Sequence, residues 1–248
     1  MNKIQKFSQI ATVAFAAASA SSLHADVIDF KAMADGNVWG ESIYSTLSVS
    51  YGAGFQLDIT GSATNDTNSD THEPADTPDT STSTVQYAYL DRGNAGLGVC
   101  KDATSLTHVG VKYGGGTNRC APGSDDNVTI GETLSFNFSV DTLINNIWMN
   151  NNHDPDHSLL NNTVDINGSG FTFTGANGPA ADGDWAVDNS YLVAANTPFT
   201  IGYWGGTSNN ADQFYISAID ISAVPEPSTL ALLGLGLLGL GLRRKKAM

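Results

Sequence analysis

Basic residues are scarce in this chain: eleven Lys and Arg stand against 25 Asp and Glu, a formal net charge of −14 over 248 residues. So acidic a protein repels nucleic acid and anionic lipid, which argues against phosphate binding as its function. Cysteine is limited to two residues, too few for a disulfide-dense scaffold. Helical periodicity is missing as well, since no stretch from Asp26 to Ala223 repeats its apolar residues every 3.6 positions, and this argues against a helix bundle. The signatures of familiar chemistry are also absent: no His-Glu-x-x-His, no Gly-x-Ser-x-Gly, no phosphate-binding loop and no dinucleotide fingerprint. Neither EF-hand spacing nor a nine-residue calcium repeat occurs. A carboxylate pair for glycoside cleavage would leave no sequence signature, because its spacing is set in space.

What is present is clearest at the two ends. Lys3 and Lys6 precede the apolar stretch Ile10 to Ala20, and small residues lead to Leu23-His24-Ala25. This is the order of a signal peptide over residues 1–25, with signal peptidase as its partner and a mature chain beginning near Asp26. A cut after Ala20 also fits the small-x-small rule. At the other end, Val224 to Met248 holds Pro225-Glu226-Pro227, an apolar run from Leu230 to Leu242, and the cluster Arg243, Arg244, Lys245 and Lys246. The two prolines favour an extended, unpaired segment that a processing enzyme could grip. As a helix the apolar run would be roughly 20 Å long, short of a bilayer core of about 30 Å. The cations after it would stay cytoplasmic and hold everything before them outside.

Those three parts, in that order, resemble the PEP-CTERM sorting signal of secreted proteins from Gram-negative bacteria. The resemblance implies that Pro225, Glu226 and Pro227 are recognised by exosortase, an integral-membrane cysteine protease, while the tail sits transiently in the inner membrane. Cell surface or extracellular matrix is then the implied destination. A second, shorter likeness to other proteins of this kind runs through Gly96-Leu97-Gly98-Val99, Asp125-Asp126-Asn127-Val128 and Gly131-Glu132, and it implies no activity.

The segment between the two signals, residues 26–223, retains five cations and 24 anions, a formal charge of −19, because six of the eleven cations and one of the 25 anions lie in the terminal segments. Its length suits one β domain. Leu134, Phe136, Phe138 and Val140 alternate with polar residues, as do Phe55-Leu57-Ile59, Val85-Tyr87-Tyr89, Phe171-Phe173 and Phe214-Ile216, with glycine clusters between them. The pattern predicts an all-β fold: an antiparallel β-sandwich, jelly-roll-like, followed by the short transmembrane sorting helix at 230–242. Residues 60–84 are almost wholly Thr, Asp, Ser, Asn and Pro, and are expected to form a mobile polar insertion because they cannot offset the entropy of ordering.

Cys100 and Cys120 form an even pair in an exported chain, so a disulfide closing a loop of about 20 residues is expected, with two free thiols or a metal pair as the alternatives. His153, Asp154, Asp156 and His157 fall within five residues and offer two imidazoles and two carboxylates to a transition metal, or else form a polar hairpin tip. Asp182-Gly183-Asp184 and Asp125-Asp126 would supply oxygen ligands for a structural calcium ion. Among the tryptophans and tyrosines, Trp185, Tyr203 and Trp204 stand at strand ends beside Gly or Asp, where rings can stack on sugars.

The two terminal signals, the acidic polar surface and the lack of catalytic motifs predict a non-enzymatic, exosortase-processed surface protein, and the resemblance implies a place in a biofilm matrix and an association with exopolysaccharide. The alternatives are a secreted polysaccharide-active enzyme or a carbohydrate-binding module on the same scaffold.

Overall fold

The structure is a computed structural model that describes residues 25–36, 39–52, 54–63, 86–100, 120, 127–129, 131–151, 158–178, 183–204 and 213–224. The strand prediction holds: fourteen β-strands and one helix make up the described chain, in two antiparallel sheets. The sorting tail and its expected helix lie outside the described residues. Among those that are described, no helix is long and apolar enough to cross a membrane.

One sheet contains β2 (Ser42–Tyr44), β5 (Tyr87–Asp91), β6 (Gly96–Cys100), β8 (Thr142–Asn150), β11 (Trp185–Val187) and β14 (Tyr215–Ala223), together with β1 (Ala25–Asp29) and β12 (Tyr191–Val193). The other runs β10 (Ser169–Thr172), β9 (Thr163–Ile166), β13 (Pro198–Tyr203), β7 (Glu132–Phe138), β4 (Phe55–Ala63) and β3 (Leu47–Tyr51). Alternation decides which side chains enter. In β7 every second residue is buried, placing Leu134, Phe136 and Phe138 in the core. Each such side chain contributes about 1.5–3 kcal/mol by leaving water. Side chains of both sheets share one apolar cluster, in which Phe30 meets Phe136 and Tyr191 meets Phe199.

Strands β5 and β6 break the alternation, because all ten of their residues are buried. Their outer face is covered by a second cluster of Ile43, Tyr87, Tyr89, Cys100 and Cys120. Cys100 and Cys120 are joined in the expected disulfide, with Cα atoms 5.6 Å apart.

No helical period is present in this segment, yet α1 (Phe30–Asp35) follows β1 directly. Six residues are too few to display a period. Its start is local chemistry, with Asp29 at the N-cap accepting a hydrogen bond from the Ala32 amide at 2.8 Å. The segment expected to be a mobile insertion, residues 60–84, includes four residues that belong to a strand. Thr60 to Ala63 continue β4, paired with Ser135 to Glu132 of β7. Gly61 permits this, since a Cβ there would lie 2.4 Å from the Tyr87 carbonyl oxygen. Residues 64–85 lie outside the described chain.

Two consequences of the pairing position the sites. Strand β14 has β8 along one side, and along the other β6 meets Ile216 while β1 takes Ala218 to Ser222. The first sheet is therefore narrower where β1 forms its border, because β6, β5 and β2 extend it only at the other half. Second, the domain has two unlike ends. At one, Ala25 faces Ser222, Ala223 faces Thr142, and the connections Tyr51 to Phe55, Phe138 to Thr142 and Val193 to Pro198 are short. At the other lie Ala63, Cys100, Asn150 and Tyr203, each followed by a longer connection.

Candidate functional site

At that second end, β13 finishes with Tyr203 facing Val164 of β9, and Trp204 follows. Val164 and Ile166 point into the core, so Thr163 and Asp165 lie on the outer face. The Trp204 indole lies over this face. A Cβ built on Gly170 would stand 3.0 Å from Trp204 Cε2 and 3.2 Å from its Cδ2, with the Thr163 methyl at 3.2 Å. Gly170 is thus the floor on which the ring rests, and Trp204 as a residue stays 45% exposed. Around it Thr163 and Thr172 share a hydroxyl hydrogen bond of 2.7 Å, and Asp165 Oδ1 accepts from the Gly168 amide at 2.6 Å. An apolar ring face framed by hydroxyls is chemistry suited to stacking on a pyranose.

Trp185 is different. It is buried, it belongs to the main core, and its ring meets Phe173 edge-on at 5.9 Å. The expectation that it contacts sugar is corrected: Trp185 does open a strand beside Asp184, but β11 pairs with β8 and turns the indole inward. Tyr203 is half-buried on the core side of β13, opposite the face that carries Trp204.

Asp184 itself is engaged. Its Oδ2 accepts from Lys31 Nζ at 2.7 Å and its Oδ1 from Ser217 Oγ at 2.8 Å. Asn150 Nδ2 donates at 2.7 Å both to Ser217 Oγ and to the Ala95 carbonyl. An ammonium already on the carboxylate opposes a divalent ion there, so Asp184 does not suit the calcium role. Asp125, Asp126 and Asp182 lie outside the described residues, as do His153, Asp154, Asp156 and His157. Among the described residues no three His, Cys, Asp or Glu side chains gather as a metal site.

The second likeness read from the sequence also has a local basis. The Val99 amide donates to the Asn127 carbonyl at 3.0 Å, Val128 bridges to Phe214, and Glu132 Oε2 accepts from the Thr129 amide at 2.9 Å. These residues stitch β6, β14 and the entry to β7 together, which is a structural duty.

Beyond β14 the chain passes through Val224, whose amide donates to the Asp141 carbonyl at 2.7 Å. Residues 223–245 match the family described as the PEP-CTERM protein-sorting motif. The chain carries a PEP-CTERM sorting motif. The motif begins at Ala223, the last residue of β14, so the domain ends where the signal begins. It marks the chain for export and for exosortase, with a cell-surface or extracellular destination. Pro225, Glu226 and Pro227 fall within the match and outside the described residues. No curated protein and no solved structure matches the chain.

One feature escaped the sequence reading. A cleft of about 450 Å³ opens between β1 and β3, lined by Asp26, Val27, Trp39, Val49, Ser50 and Tyr51 among others. Its walls come from β1, β3 and the segment between them, brought together by the fold, so no local pattern announces it.

Proposed function

We propose that the domain is a non-enzymatic protein of the cell surface or biofilm matrix, delivered by exosortase, that binds exopolysaccharide through the outer face of β9, β10 and β13. The observation that carries this reading is Trp204, which rests against Gly170 and is 45% exposed to solvent. A ring already fixed by its support loses little freedom on stacking, which lowers the cost of binding. Polarity supports it too. Trp204 is at the end of the domain opposite Val224, the last described residue before Pro225-Glu226-Pro227. The −19 charge favours neutral glycans directly and anionic ones through bridging divalent cations. The repeated passage of the chain between the two sheets is in keeping with a jelly-roll-like fold.

The test is affinity electrophoresis of the exported protein in gels containing exopolysaccharide from its host. Retardation should fall several-fold in Trp204→Ala, and equally in Gly170→Val, which lifts the ring from its floor. Equal retardation of both variants and the native protein would refute the site. Reducing ends released from the same polysaccharide would instead make the protein an enzyme.

A further inference from the structure

Strand β3 stands at one border of the second sheet, and among the described strands it pairs only with β4. Alternate amides and carbonyls along its free edge therefore have no strand partner. Such an edge is a template for a further strand unless a charge, a proline or a bulge blunts it, and Leu47-Ser48-Val49-Ser50-Tyr51 carries neither charge nor proline. Its residues pair with Ile59 to Phe55 in unbroken register, so no bulge twists the edge away. Leu47, Val49 and Tyr51 are buried, while Ser48 and Ser50 are exposed.

The neighbouring edges are poorer templates. Across the cleft, β1 carries Asp26 and Asp29. At the far border of the second sheet, β10 is shorter and has Gly170 within it, which weakens a strand. In a segment of formal charge −19, an uncharged edge is where a second acidic body meets least repulsion. The order apolar-Ser-Val-Ser-apolar also reads alike in both directions. An antiparallel copy centred on Val49 sets Val49 against the partner's Val49, Ser48 against the partner's Ser50 and Leu47 against the partner's Tyr51, so buried faces stay on one side and serines on the other.

We propose that the protein forms a two-fold dimer through β3, the second sheet of one copy continuing into that of the other. A self-complementary strand is what such a contact requires, because the same patch serves both copies. The cleft of about 450 Å³ runs along this border, and Val27, one of its lining residues, is 61% exposed. The partner closes over this border and takes apolar surface out of water. Strands β9 and β10, which carry the Trp204 site, are at the border opposite β3. The dyad of an antiparallel strand pair is normal to the sheet, so the dimer presents one indole near each end of the joined sheet, on the same face. Two such sites hold a long glycan with avidity. That consequence rests on the polysaccharide reading; the pairing of β3 does not.

Sedimentation velocity of the exported protein, over a range of protein and salt concentrations, tests this. A monomer–dimer equilibrium is expected, and the dimer should tighten several-fold between about 0.05 and 0.5 M salt, as screening relieves the repulsion of two acidic domains. The double variant Ser48→Glu, Ser50→Glu should raise the dimer Kd about tenfold at fixed salt, because carboxylates then face each other across the dyad. Ser48→Lys combined with Ser50→Glu should restore it, since each lysine meets a glutamate of the other copy. Unchanged thermal unfolding of both variants is the control for folding. A protein that stays monomeric at every salt concentration, or a dimer that survives the paired glutamates, overturns the proposal. So does a loss that the lysine and glutamate combination fails to recover, since that places the contact elsewhere than on β3. Trp204→Ala should leave the equilibrium unchanged, so failure of the dimer and failure of the polysaccharide site are read separately.

Discussion

Tyr51 Oη and Thr142 Oγ1 lie 3.0 Å apart in the buried space between the sheets, one from β3 and the other from β8. Thr142 has a single hydroxyl proton and donates it to the Val140 carbonyl at 2.9 Å, so the tyrosine is the donor. Its ring also meets Phe138 edge-on at 6.3 Å. The contact therefore ties the short-loop end of one sheet to the other, and Tyr51 also lines the β1/β3 cleft.

Burial, and to a smaller degree the Asp26 carboxylate, hold the Tyr51 hydroxyl above the ordinary tyrosine range, and burial raises Tyr44 too. A folded-state value raised in this way adds stability that is complete below the unfolded value of about 10 and is lost as pH climbs through the folded one. Chemical denaturation should thus show a falling midpoint above a pH of about 10. Tyr51→Phe should cost about 1 kcal/mol at neutral pH and flatten part of that alkaline fall, leaving the share due to Tyr44. An alkaline profile unchanged by the substitution would contradict the assignment.

Lys31 and Asp184 are expected to be the most sensitive surface-to-core pair. Both side chains are largely buried, at 13% and 8% exposure, and 153 residues separate them in sequence. Removing one partner leaves a shielded charge, so Lys31→Met should cost about 3–5 kcal/mol, and Asp184→Asn a comparable amount. Replacing both by apolar residues should recover much of the loss, as read from the urea midpoints of the two single variants and the double. Additive losses would show that the pair is not coupled.

The disulfide covers the outer face of β5 and β6, so its loss should be felt through that second cluster. Intact mass of the exported protein should show no free thiol. The Cys100→Ser, Cys120→Ser double variant should lose about 3 kcal/mol, the chain-entropy value for a loop of this size. A stability equal to that of the native chain would mean that Ile43, Tyr87 and Tyr89 hold that face without it.

The alternation of Leu134, Phe136 and Phe138, and that of Leu57 and Ile59, made the β class legible because one face of each strand meets the core and the other meets water. Strands β5 and β6 were less legible, since the disulfide-linked cluster buries both of their faces and erases the period. Trp185 follows a polar stretch and Trp204 precedes a glycine pair, yet Trp204 rests on Gly170 in the open and Trp185 turns into the core. What separates them is strand pairing, a long-range property. The cleft depends on β1 ending where β6 takes over along β14, and that register is invisible until the strands are paired.

The sorting motif yields the prediction on which the cellular role depends. Strand β14 ends at Ala223 and the Val224 amide is bonded to Asp141, so the folded domain stops immediately before Pro225-Glu226-Pro227. On the proposed sorting route the enzyme would read that tripeptide with Leu230 to Leu242 in the membrane and Arg243 to Lys246 arresting transfer. An apolar run of roughly 20 Å, interrupted by Gly234, Gly236, Gly239 and Gly241, anchors weakly against a core of about 30 Å, so retention should be brief and processing should dominate. Replacing Pro225, Glu226 and Pro227 together by Ala should then leave full-length chain in the inner membrane with its domain outside. Neutralising the four cations should instead release unprocessed chain, because nothing would hold the tail on the cytoplasmic side. Fractionation followed by mass spectrometry of the C-terminus distinguishes these outcomes. A triple-Ala chain that matures and reaches the surface as efficiently as the native one would reduce the Pro-Glu-Pro element to a spacer.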